Sequence, residues 1–200
     1  LVLIFGSTGK HYAQIVNGAP FDVFLAADAK RPQKLEAAGL TIEGSRFTYA
    51  LGRLVLWSVD EGLVDAESRT LETADFRRLA IANPGLAPYG RAAIEAIDKL
   101  GQREDVKDKL VMGENVGQAF QFVVSGNAEL GLVAWSQLHQ GDRPMQGSWW
   151  LVPESLHDPI EQQAVQVKAG KAAEDFLAFL RSEKAVEIFR AYGYGVPDDL

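Results

Sequence analysis

Leu1-Val2-Leu3-Ile4-Phe5-Gly6-Ser7-Thr8-Gly9-Lys10-His11-Tyr12-Ala13-Gln14-Ile15-Val16-Asn17-Gly18 opens the chain and decides how its fold is read. The apolar run 1–5 predicts a strand buried on both faces, the kind found in parallel sheets. A turn of small and polar residues follows, then a helical stretch from His11 to Asn17 closed by Gly18. That order puts unpaired backbone N–H groups and the positive end of a helix dipole at the carboxyl end of a strand. In an open α/β sheet ligands bind at that edge, and anions suit it.

The same pattern recurs downstream. Phe21–Leu25 reads as a strand, and a helical stretch near Pro32–Ala38 ends at Gly39. Phe47–Val59 reads as a long strand interrupted at Gly52-Arg53. Arg78–Ala82 is a short strand, 83–90 a loop and Arg91–Leu100 a helix. Lys109–Met112 is a strand, 113–115 a turn and Val116–Ser125 a helix. Leu130–Trp135, Trp149–Val152 and Ala164–Val167 are further strands. Two helices, Lys171–Arg181 and Glu183–Tyr192, close the chain, and their stripe Phe176, Leu177, Leu180, Ile188, Phe189 predicts core packing. Strands alternating with helices predict α/β layers with largely parallel sheet.

Composition removes several function classes. The 200 residues carry a formal net charge of −7, and an acidic chain is a poor partner for nucleic acid. It also draws no anion from a distance, so an anion site here must act at short range through dipoles and hydrogen bonds. There is no cysteine, hence no disulfide and no thiolate metal site. No run approaches the roughly 18 apolar residues of a membrane span. The start at Leu1 rather than Met predicts a processed or shortened beginning.

Three segments could carry chemistry: Gly6-Ser7-Thr8-Gly9-Lys10, Pro84 to Gly90, and Gly113-Glu114-Asn115-Val116. Singly, Ser7, Thr8 and Asn115 are ordinary helix caps, and Pro88 is an ordinary first helical residue. Together, several helix starts facing one cleft would bind an oxyanion without a buried cation. The first segment is not a nucleotide loop, because Lys10 is followed by His11 rather than Ser or Thr. His11, His139 and His157 have no metal-ligand spacing. Asp22, Asp28 and Asp60 have no nucleophile beside them in sequence, and no G-x-S-x-G elbow occurs, so no enzyme is expected.

These segments resemble the periplasmic molybdate-binding proteins of ABC transporters. The likeness runs through Phe5 to Ile15, through Asn17-Gly18-Ala19-Pro20-Phe21-Asp22-Val23-Phe24-Leu25-Ala26-Ala27-Asp28, and through Asn83-Pro84 to Tyr89-Gly90. It continues with Glu114-Asn115-Val116, with Gly131-Leu132-Val133, and with the ending Ala185 to Tyr194. The resemblance implies an α/β, two-lobed type II periplasmic binding protein fold, each lobe a mostly parallel sheet flanked by helices. Residues 1–52 and 155–200 would form lobe 1 and 53–154 lobe 2, with the ligand cleft between them. It further implies a non-enzymatic receptor that captures molybdate or tungstate and delivers it to an inner-membrane ABC permease. The receptor would be a monomer, periplasmic or lipid-anchored outside the cytoplasm, with no cofactor, no nucleic-acid partner, and molybdenum held only as the oxyanion. The alternatives are a receptor for sulfate or thiosulfate and the effector-sensing domain of a transcription regulator.

Carried over residue by residue, the ligand set is Thr8, with Ser7 beside it as the alternative hydroxyl, then Tyr89 and the backbone N–H of Val116. Many members have a Tyr just after the Gly-Leu-Val strand; Ala134 stands there, and the Tyr89 hydroxyl would compensate. The family also begins with one more strand, loop and helix carrying a Ser or Thr-Asn ligand pair. This N-terminal unit of about 25–30 residues, by usual element lengths, is expected to precede Leu1. Such a site contains donors only, matching a fully ionised tetrahedral dianion with four acceptor oxygens.

Overall fold

Arg53 is the single residue between two strands that belong to different sheets. The computed structural model describes residues 1–65, 69–73, 75–139, 141 and 145–198. In chain order it contains α1 (Thr8–Val16), β1 (Val23–Ala26), α2 (Lys30–Ala37), β2 (Phe47–Gly52), β3 (Leu54–Ser58) and α3 (Arg69–Thr73). Next come β4 (Leu79–Ala82), α4 (Pro88–Lys99), α5 (Arg103–Val106), β5 (Leu110–Gly113), α6 (Val116–Val124) and β6 (Leu130–Ala134). The chain continues with α7 (Trp135–Leu138), β7 (Ser148–Leu151), β8 (Ile160–Gln166), α8 (Lys171–Leu180) and α9 (Glu183–Ala191).

One sheet has the order β1-β8-β2, the other β5-β4-β6-β3-β7. Side chains alternate between the faces of a strand, so each sheet is covered twice. Val165 of β8 joins Phe24, Ala26, Ile15 and Leu35 beneath α1 and α2, whereas Ala164 joins Leu177 and Leu180 beneath α8. In the larger sheet Leu54, Leu56, Leu79 and Ile81 pack against Ala92, Ala93, Ala96 and Ile97 of α4. The alternate residues Val55, Trp57, Ala80 and Val133 pack against Ala119 and Val123 of α6. The chain leaves the smaller sheet at Arg53 and returns to it after Leu151.

The helices flank the sheets as an α/β fold requires, but parallel pairing is confined to β4 with its neighbours β5 and β6. The β3–β6, β3–β7, β1–β8 and β2–β8 pairs are all antiparallel. The cause lies in the connections. Parallel neighbours need a helical crossover, which α4 and α6 supply around β4. Strand β3 enters its sheet directly from β2, without a helix, and runs the other way.

Leu1–Phe5 is a second correction. It forms no strand and is exposed, Leu1 at 93% and Phe5 at 87%. A buried strand needs hydrogen-bonding neighbours and covering side chains, and neither sheet takes this segment up. Left in water, each such side chain forgoes about 1.5–3 kcal/mol of burial. In the closing helices Leu177 and Leu180 are buried as expected, but Ile188 is 42% exposed on the outer side of α9. Two helices begin earlier than their apolar patterns indicate, α1 at Thr8 and α4 at Pro88. Strand β8 begins at Ile160, its polar Gln162 and Gln163 having hidden its first half.

Candidate functional site

Ser7 caps α1 from an extended conformation, and its Oγ accepts the Lys10 N–H at 3.3 Å. Thr8 opens the helix, and its Oγ1 accepts the Ala27 N–H at 3.1 Å, just beyond β1. Both residues are buried, at 3% and 6% exposure, although the segment is polar. Each oxygen already accepts a backbone N–H, so each keeps its own proton to donate. The two hydroxyls share this property, and both remain candidates.

The turn before α4 is built on Asn83. Its N–H donates to the Gly113 carbonyl at 2.7 Å, and its side chain accepts the Gly85 N–H at 2.9 Å. The Ala87 N–H closes the turn on the Asn83 carbonyl at 2.8 Å, and Pro88 starts the helix with its fixed φ. Tyr89 therefore lies in the first turn of α4, fully buried. Its hydroxyl reaches to where the sheets join: it accepts from Gln162 Nε2 at 3.1 Å and lies against Gly52. Burial raises its pKa well above the usual 10; the neighbouring Tyr194 and Tyr49 add to this, and the Gln162 hydrogen bond opposes it. Tyr89 is thus a protonated hydroxyl at any physiological pH.

Asn115 caps α6, its Oδ1 accepting the Gln118 N–H at 2.9 Å, while Gln118 Oε1 accepts the Glu114 N–H at 2.6 Å. Val116 is the first residue of that helix and packs half-buried against both core clusters of the larger sheet. Its carbonyl accepts from Gln137 Nε2 at 3.5 Å, and Gln137 Oε1 accepts the Ala134 N–H at 3.1 Å. Ala134 is buried and brings no hydroxyl.

The start of α1 touches both of the other turns. The Gly9 N–H donates to the Leu86 carbonyl at 2.9 Å. Arg31, paired with the buried Asp28, donates from Nη2 to the Gly85 carbonyl at 3.2 Å. Lys10 pairs with Glu114 at 3.3 Å. The segments that lead into α1, α4 and α6 are thereby in contact with one another. Lys10 goes to a carboxylate on the surface, not to a phosphate loop. Among the described residues no group of His, Cys, Asp or Glu could hold a metal ion. The arrangement can present hydroxyl and amide donors to a small anion.

Sequence reasoning missed three participants. Asp28, noted in the sequence only as having no nucleophile beside it, anchors Arg31. Gly52 and Gln162 frame the Tyr89 hydroxyl. The polar pair Gln162-Gln163, directly before the apolar Ala164-Val165, was the available signal for Gln162.

A model of the bacterial extracellular solute-binding protein family matches residues 1–195. The molybdate-binding protein ModA of Azotobacter vinelandii is 51% identical over 199 residues, covering 98% of this chain and 79% of its own length. ModA of Rhodobacter capsulatus is 49% identical over 193 residues, covering 95% of this chain and 75% of its own. The solved structure of the A. vinelandii periplasmic molybdate-binding protein superposes with a TM-score of 0.95 at 44% identity, covering 98% of this chain and 87% of that one.

Proposed function

The chain belongs to the bacterial extracellular solute-binding protein family, and on that premise we propose that it captures molybdate, and tungstate with it, for delivery to an ABC permease. The observation that carries this reading is the polarity of the site. The oxygens of Ser7, Thr8 and Tyr89 each accept a hydrogen bond from the protein and keep a proton to give. With the first N–H groups of α6 at Val116, this makes a set of donors. A fully ionised tetrahedral dianion offers only acceptors, so every contact is matched. Hydrogen phosphate would bring a proton, and none of these groups is a carboxylate to take it. Donors set on helix starts cannot contract around the smaller sulfate.

Residues 1–52 and 155–200 act as one lobe and 53–154 as the other. The donors lie on both sides, so all are satisfied only when the lobes meet. The Gly9–Leu86, Arg31–Gly85 and Lys10–Glu114 contacts support such a closed arrangement. The protein works in the periplasm as a monomer and releases its ligand unchanged.

Titration calorimetry with molybdate, tungstate, sulfate and phosphate tests the reading. Molybdate and tungstate are expected to bind alike, with the other two far weaker. Sulfate affinity equal to that for molybdate would overturn it.

A further inference from the structure

We infer that Gln162 is a positioning residue for the anion site: its amide, aimed by Tyr49, holds the Tyr89 hydroxyl with its proton turned toward the ligand. The inference rests on the oxyanion-receptor reading and deepens it.

Gln162 is 6% exposed and sits between two tyrosines. The Tyr49 hydroxyl donates to its Oε1 at 2.9 Å, and its Nε2 donates to the Tyr89 hydroxyl at 3.1 Å. An amide has one accepting end and one donating end. With Tyr49 on the accepting end, the NH2 end must face Tyr89. A phenol oxygen that receives an amide proton sends its own proton elsewhere. Were the amide turned over, Oε1 would take the Tyr89 proton, and the hydroxyl would show lone pairs to a dianion.

The surroundings hold both phenol groups against the amide. Pairing between β2 and β8 shifts register between Thr48 and Ala50, which makes Tyr49 the irregular residue of the strand. Such bulges re-aim a side chain. The Tyr49 ring then packs 5.5 Å from the Phe189 ring of α9, which anchors its hydroxyl beside Gln162. On the opposite side a Cβ at Gly52 would overlap the Tyr89 hydroxyl and stand 3.0 Å from Gln162 Nε2. Gly52 is therefore required for space. Burial raises the pKa of both tyrosines, so both protons are present throughout the physiological range. The relay leaves the Tyr89 proton free for the ligand, which suits an anion whose oxygens all accept.

The test is molybdate calorimetry on the wild type, Gln162→Met, Tyr49→Phe, Tyr89→Phe and the two doubles with Tyr89→Phe. Gln162→Met should weaken binding about tenfold and Tyr49→Phe a few-fold, the scale of one hydrogen bond. Neither should weaken it further once Tyr89 is Phe. Losses of the same size in the Tyr89→Phe background would indicate general damage to the fold and overturn the inference. Unchanged affinity in folded Gln162→Met would overturn it as well. If Gln162→Met does not fold, the Tyr49→Phe cycle carries the same decision. A wild type that takes up no molybdate would overturn both this inference and the receptor reading, whereas binding without coupling overturns this inference alone.

Discussion

Gly9 donates its backbone N–H to the Leu86 carbonyl at 2.9 Å, tying the first turn of α1 to the turn that leads into α4. A Cβ on Gly9 would stand 2.9 Å from that carbonyl oxygen and 3.0 Å from Arg31 Nη2. One methyl group therefore wedges the two segments apart. Gly9→Ala should lower molybdate affinity about tenfold or more, the scale of losing a hydrogen bond and its closure together. The ligand-free protein should lose nothing, and could gain up to about 1 kcal/mol, because Ala is the better helix former. Calorimetry and urea unfolding of the same variant would read these opposite signs.

Lys10 and Glu114 join the same two sides at 3.3 Å, but their side chains are 56% and 63% exposed. Exposed pairs contribute about 0–1 kcal/mol and are screened by salt. Lys10→Met is expected to change affinity less than about fivefold in dilute buffer, with the difference vanishing at high ionic strength. A tenfold loss that persists in salt would mean that Lys10 touches the anion itself.

Tyr49 and Tyr89 contribute a loss of stability in alkaline solution. Burial raises both pKa values above the usual phenolic 10. Below about pH 10 the folded and unfolded chains hold the same phenolic protons, and stability from this source is fully present. Above it the unfolded chain releases protons that the folded chain keeps, so stability falls as pH climbs toward the raised values. Urea midpoints between pH 8 and 11 should drop on the alkaline side. The drop should be shallower when both residues are Phe, and an identical slope would contradict the burial of these hydroxyls.

Much of this was legible in the sequence. Ser7, Asn115 and Pro88 announced three helix starts by ordinary capping chemistry, and the apolar runs of β3, β4 and β6 announced a buried sheet. What was not legible depends on partners. Leu1–Phe5 has the composition of a core strand, yet composition cannot supply a neighbour. The antiparallel direction of β3 follows from its entry at Arg53, which no local pattern encodes. Gln162 was not singled out, because only the fold reveals that Tyr49 and Tyr89 meet at its amide.

In the proposed two-lobed reading the one-residue junction at Arg53 would serve as an axle. The ends of β2 and β3 can part by no more than about two Cα steps of roughly 3.8 Å, so the proposed opening would be a rotation whose travel grows with distance from that point. A fluorophore pair placed near the axle would read almost nothing on anion uptake. The same pair placed far out, on α1 and on the loop before α4, would read nearly the whole swing, which makes that rim the place to build an optical sensor from this scaffold.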